Sequence, residues 1–156
     1  RSLLESDDIA ALGELMQISH DGDRVVRYSG KGADWKAEPY DFMASDAYLE
    51  ALIADLRSEE LERVERAQLY RQPGGYACST VEIDEMVDLC MQVSGVAGAQ
   101  LSGAGLGGCI MVLVHENSVD SLENQLAKRF YEPRGLEPAV TVSVPVKGSG
   151  LLSISR

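Results

Sequence analysis

Cysteine, histidine, positive charge and long apolar runs are all scarce in this sequence, and each shortage closes off a class of protein. Cys78, Cys90 and Cys109 are its only three cysteines and form no C-x-x-C pair. An odd count at this spacing gives neither a disulfide framework nor a zinc site, so reduced thiols in a cytoplasmic protein are expected. The two histidines, His20 and His115, lack H-x-x-x-H spacing, and no metal ligand is assigned to them. Lys and Arg number 14 against 25 Asp and Glu, a net charge of −11. A surface that acidic repels phosphate backbones, so nucleic acid is not an expected partner. No apolar stretch approaches the ~20 residues of a membrane span, and no membrane partner is expected. The chain opens RSLLESDD, with neither initiator methionine nor signal-peptide pattern, and is expected to be an excised piece of a longer protein.

What remains is 156 residues, 45% hydrophobic and 25% charged, the composition of one soluble globular domain over 1–156. Residues 7–20 predict an amphipathic helix with Ile9, Leu12, Leu15, Met16 and Ser19 on its buried stripe. A polar, turn-rich stretch follows, with a short strand expected at Arg24–Tyr28. Residues 45–71 read as strongly helical, with favourable i,i+4 pairs Glu59–Arg63 and Glu62–Arg66, until the QPGG of 72–75 stops them. Ser79 and Glu82 form a capping-box pattern ahead of the helical stripe Ile83, Met86, Val87, Cys90 and Val93. Val96–Ser102 predicts a strand, Cys109–Val114 a buried strand, and 118–131 a helix carrying Val119, Leu122, Leu126 and Phe130. Val140, Val142, Val144 and Val146 alternate with polar residues as a one-sided strand, near an edge because of Pro145. Residues 150–155 add a last short strand. The order points to an α+β fold: a ferredoxin-like sandwich with helices on one face of a mainly antiparallel sheet.

The stretch SGAGLGGC (102–109) contains Gly103, Gly105 and Gly108 in G-x-G-x-x-G spacing. A dinucleotide fingerprint needs a helix after the loop, and here the best strand of the chain follows instead. A protein-kinase glycine loop fits superficially, but no V-A-I-K, H-R-D or D-F-G follows. A plain turn needs one or two glycines, and each glycine costs roughly 0.5–1 kcal/mol against alanine. Such density points to close approach of another group to the backbone.

In these residues the chain resembles the GHMP small-molecule kinases, and its flanks look most like galactokinase. LGELMQISH resembles that family's G-x-L-M-x-x-S-H helix. YACSTVEIDEMV resembles Y-x-x-S-T-P-E-L-D, and GVAGAQLSGAGLGGC is similar to G-x-x-G-A-R-M-T-G-G-G-F-G-G-C. Val81, Gln100, Ala104 and Leu106 depart from the pattern, and Ala104 is the mevalonate-kinase form. Residues 22–75 replace a short link and are expected to be a peripheral helical insertion.

The resemblance implies a ferredoxin-like C-terminal domain of an ATP-dependent, Mg-requiring kinase acting on the anomeric hydroxyl of galactose or a related sugar. Its N-terminal kinase domain is absent from this chain and is implied to hold most of the ATP and Mg contacts. Ser102, Gly103, Ala104, Gly105, Leu106, Gly107 and Gly108 are implied to form the ATP-side glycine loop of the cleft, with no catalytic residue in these 156. Two other readings stay open: a non-catalytic sugar-sensing or interaction module, and a GHMP kinase for another substrate such as mevalonate. Cys109 is expected to be a small core residue, His20 a capping or packing residue, and Glu82 and Asp84 an electrostatic aid to their helix start. Without its partner domain, the chain is expected to bare an apolar patch near Leu106 and helix 82–93 and to self-associate.

Overall fold

The computed structural model describes residues 8–40, 42, 44–104 and 108–144. Helix α1 (Ile9–Asp23) starts where the Asp8 carboxylate accepts from the Ala11 amide, a side-chain N-cap. Strands β1 (Val26–Ser29) and β2 (Lys36–Pro39) form an antiparallel hairpin with Val26 opposite Pro39. Helix α2 (Asp46–Leu56) is capped by Ser45, and the shorter α3 (Leu61–Arg66) follows. The predicted 45–71 helix is thus broken near Ser58. Arg63 accordingly pairs with Asp55 and Glu60, not with Glu59.

Helix α4 (Val81–Cys90) leads into the antiparallel pair β3 (Val96–Leu101) and β4 (Ile110–Val114). Helix α5 (Val119–Leu126) runs on through a π-helical stretch, Ala127–Tyr131. Among the described residues the fold is α+β, with two antiparallel two-stranded sheets. The core joins Val87, Leu89 and Cys90 of α4 to Leu122, Leu126, Phe130 and Tyr131 of α5 and its extension, over Ala99 of β3.

Four local expectations are corrected. The cap of α4 is Thr80, which accepts from the Ile83 amide; the Ser79 hydroxyl instead donates to Asp84 Oδ1 at 2.6 Å. Residues 140–144 form no strand, and Val142 and Val144 are exposed; no strand edge among the described residues pairs with them. Pro145, Val146 and the strand expected at 150–155 lie outside the described residues. Strand β4 is half-buried rather than buried, with Met111 exposed, because α1 covers the outer edge of β3 and no described strand flanks β4. Finally, α1 buries Gly13 and His20 and leaves Ile9 exposed, so its packed face is offset from the predicted stripe.

The reason is how α1 meets β3. A Cβ on Gly13 would lie 2.0 Å from the Ala97 carbonyl oxygen, so helix and strand cross at backbone contact. Further along the same face, Gln17 Nε2 donates to the Ala99 carbonyl at 3.0 Å, and His20 Nδ1 accepts from the Leu101 amide at 3.3 Å. The spacing 13, 17, 20 keeps all three on one side of the helix. Side chains here satisfy the free edge of β3 as a neighbouring strand would.

The segment 22–75 is not peripheral throughout. Its hairpin docks on three carboxylates of α4. Asp84 Oδ2 accepts from the Val25 and Val26 amides, both at 2.9 Å. Asp88 Oδ2 accepts from the Tyr28 amide at 2.6 Å and from buried Arg24 at 2.7 Å. Glu85 takes Trp35 Nε1 at 3.1 Å on one oxygen and Arg134 at 2.6 Å on the other. The turn Leu69–Arg71 after α3 reaches α1 more lightly, through the Arg71–Glu14 pair at 2.8 Å.

Candidate functional site

The glycine loop joins β3 to β4. One further backbone bond, from the Ser102 amide to the Cys109 carbonyl at 2.9 Å, extends the ladder past Leu101 and closes the base of the loop. Gly103 and Gly108 have φ of +66° and +63°, the left-handed region where a Cβ meets the following carbonyl. No atom of the described residues lies within 4 Å of where a Cβ would stand on either residue. Glycine is therefore required here by backbone conformation, not by crowding among the described residues. The Gly103, Ala104 and Gly108 amides have no hydrogen-bond partner among the described residues. Gly105, Leu106 and Gly107 lie outside the described residues. Gly103, Ala104, Gly108 and Cys109 are exposed, and Ser102 is half-buried. Cys109 is therefore not a core residue: it stands just before β4, at the mouth of the loop.

Behind the loop lies a buried polar cluster that sequence reasoning assigned to ordinary capping. His20 is fully buried. Its Nδ1 accepts from Leu101, which leaves the ring proton on Nε2. Nε2 lies 3.2 Å from Asp84 Oδ1, in an off-axis contact that falls short of hydrogen-bond geometry. The Asp84 carboxyl, also fully buried, meets His20 and Ser79 on one oxygen and two backbone amides on the other. Burial pushes it up, but the nearby His20 ring, the Ser79 hydroxyl and the Val26 and Val25 amides outweigh that and hold it below its ordinary value. Asp84 therefore does more than favour its helix start: it ties α1, β1, α4 and the segment before α4 together. A buried aspartate in the first turns of a helix reads in sequence as a dipole partner, and only the S-H and S-T-x-E-x-D blocks marked these positions.

The expected apolar patch is not found on helix 82–93, whose apolar side chains are buried or half-buried. The large exposed apolar residues include Leu49, Ile53 and Leu56 of α2. Among the described residues no three His, Cys, Asp or Glu side chains converge to hold a metal, and no helix is long and apolar enough to cross a membrane.

A glycine-rich β3–β4 loop, exposed at its described residues Gly103, Ala104 and Gly108 and rooted on buried His20 and Asp84, defines the class. Residues 49–132, just over half of the chain, match the family model for the C-terminal region of GHMP kinases, and the chain belongs to that family. Among individual proteins it is similar to the galactokinase of Staphylococcus saprophyticus, 31% identical over 87 residues, which cover 56% of this chain and 22% of the relative. It is also similar to the galactokinase of Staphylococcus carnosus, 36% identical over 64 residues covering 41% and 16%. With the galactokinase of Clostridium acetobutylicum it shares 34% identity over 64 residues, again 41% and 16%. The matched part thus spans about a fifth of the length of these relatives. No solved structure matches the chain.

Proposed function

We propose that this chain is the C-terminal part of an ATP-dependent sugar kinase that phosphorylates the anomeric hydroxyl of galactose or a related sugar. The observation that carries the reading is the glycine loop, exposed at Gly103, Ala104 and Gly108, inside a chain of the GHMP kinase C-terminal family. Residues 1–156 form one domain, 22–75 are its insertion, and a separate N-terminal domain completes the kinase.

Phosphoryl transfer asks a protein for positioning and charge stabilisation more than for covalent chemistry. ATP supplies the transferred group. The backbone amides of Gly103, Ala104 and Gly108 have no hydrogen-bond partner among the described residues, and backbone donors grouped in such a loop suit anionic oxygens. Ser102 adds a hydroxyl at the base of the loop. Gly105, Leu106 and Gly107 belong to the same proposed ATP-side loop by sequence. The described carboxylates that lie close together are bonded to the hairpin, not grouped for a cation. Magnesium therefore has no place among the described residues, and no step is derived through it.

The test is an ADP-release assay on the intact protein with ATP, magnesium, a panel of aldoses and mevalonate. Turnover that depends on one aldose, with the phosphate found on its anomeric oxygen, is expected. Turnover with mevalonate alone would move the protein to another substrate class. Sugar binding without any turnover would make it a sensor.

A further inference from the structure

We propose that His20 is a positioning residue for the glycine loop, fixing the loop's first backbone joint at Leu101 through its Nδ1. The inference rests on the reading that this loop serves phosphoryl transfer. Three observations carry it. The Leu101 amide faces α1, away from β4, and its acceptor is His20 Nδ1 at 3.3 Å. Leu101 immediately precedes Ser102, whose own amide closes the loop on Cys109 at 2.9 Å. The ring has little freedom, being fully buried with Nε2 held 3.2 Å from an aspartate that is itself bonded to Ser79, Val25 and Val26.

A side chain needed only for packing would use neither nitrogen. Here one nitrogen accepts a strand-edge amide that would otherwise be buried without a partner, a state that proteins rarely tolerate. That acceptance leaves the ring proton on Nε2, which faces the Asp84 carboxylate at 3.2 Å. Two residues beyond Leu101, the chain turns into the left-handed conformation of Gly103. Any rotation of the Gln100–Leu101 peptide, whose N–H His20 holds, is therefore carried through Leu101 and Ser102 to the amides proposed to meet phosphate oxygens. Displacements of about 1 Å in positioning groups reduce transfer rates on the order of 10²-fold.

The test compares His20→Asn with His20→Gln in the intact protein. Asparagine places an oxygen where Nδ1 stood and keeps an acceptor for Leu101. Glutamine reaches toward Asp84 and leaves Leu101 without one. In His20→Gln, hydrogen exchange at the Leu101 and Ser102 amides is expected to rise about tenfold or more. Its kcat is expected to fall on the order of 10²-fold, with KM for the sugar changed by less than about threefold. His20→Asn should stay near the wild type on all three. Unchanged exchange and kcat in His20→Gln, or equal losses in both variants, would overturn the proposal. Should both variants fail to fold, scalar coupling between the Leu101 amide nitrogen and His20 Nδ1 in the wild type decides the matter, and its absence counts against the proposal. A wild type that transfers no phosphoryl group overturns the proposed function, while exchange and coupling still judge the hold of His20 on Leu101. Raised exchange with normal kcat leaves the kinase reading standing and removes the positioning role.

Discussion

Gly13 and Gly98 touch through their backbones. A Cβ built on Gly13 would lie 2.0 Å from the Ala97 carbonyl oxygen, and one built on Gly98 would lie 2.6 Å from the Gly13 carbonyl oxygen. The contact is reciprocal and involves backbone on both sides, so no flexible side chain can yield. Helix α1 rests on β3 at a separation that only glycine at both positions allows.

Gly13→Ala should therefore destabilise the protein by about 1–3 kcal/mol or more, as overpacking does. Gly75→Ala is the control: no atom of the described residues lies within 4 Å of its Cβ position, and removing a glycine from the unfolded chain is neutral or stabilising. Urea midpoints of the two variants check this. A Gly13→Ala midpoint equal to that of the wild type would mean that α1 does not sit on β3 in this way.

Asp84 should make the domain sensitive to acid. Its carboxyl is held below the ordinary value by polar neighbours that outweigh burial. A group depressed in the folded state contributes its full stabilisation above about pH 4, the ordinary carboxylate value, and loses it as the pH falls through the lower folded value. Wild-type stability should decline below about pH 4 more steeply than that of Asp84→Asn. At neutral pH, Asp84→Ala should cost about 3–5 kcal/mol by stranding its buried partners. An acid slope unchanged in Asp84→Asn would place the acid-labile group elsewhere.

The three thiols should react in a fixed order. Cys109 is exposed, whereas Cys90 is buried and burial pushes its thiol up to about 12. Cys78 lies between them in exposure; burial and its bond to Asp23 both raise it. Thiolate content and access together set the rate of alkylation. Maleimide labelling of this chain at neutral pH, read by mass spectrometry, should modify Cys109 first, Cys78 more slowly and Cys90 only after denaturation. Labelling of Cys90 as fast as Cys109 would contradict the described core.

Gly103 separates conformation from crowding. Among the described residues nothing crowds its Cβ position, so a side chain there meets from them only the penalty of positive φ, about 1–2 kcal/mol. Asparagine tolerates that region better than valine. Turnover of the intact kinase should fall in the order Gly103, Gly103→Asn, Gly103→Val. Full turnover in Gly103→Val would make the loop a connecting turn and nothing more.

The long periodic segments were legible. The helices at 81–90 and 119–131 and the strands at 96–101 and 110–114 came from apolar spacing, and the glycine loop came from its composition. Helix α1 was legible as a helix but not in its facing, because its buried face is Gly13, Gln17 and His20. Hydrophobic periodicity cannot register a glycine chosen for contact or a polar group chosen to satisfy a strand edge. The same limit hid the docking of the hairpin. Asp84 reads as an aid to its helix start, and Glu85 and Asp88 fall beside the apolar stripe of α4 with nothing in the sequence to mark them. The Val25, Val26 and Tyr28 amides that Asp84 and Asp88 accept from leave no mark in the sequence. Ser79 was misread as the cap because Thr80, its neighbour, offers the same hydroxyl.

The route by which the hairpin reaches α4 bears on how the domain assembles and on where it accepts new material. Helix α4, strands β3 and β4, and helix α5 are consecutive in the chain and contact one another. The Val25 and Val26 amides reach Asp84 across 59 and 58 residues, and His20 reaches Leu101 across 81. Consecutive elements close first and distant ones dock later, so α1 and the hairpin are the late-arriving parts. Closure entropy grows only as the logarithm of loop length, and ten residues added between the hairpin and α4 cost about 0.1 kcal/mol. The turn at 57–60, between α2 and α3, is accordingly a permissive place to graft a reporter domain, whereas a graft inside 24–39 would pull the amides off α4.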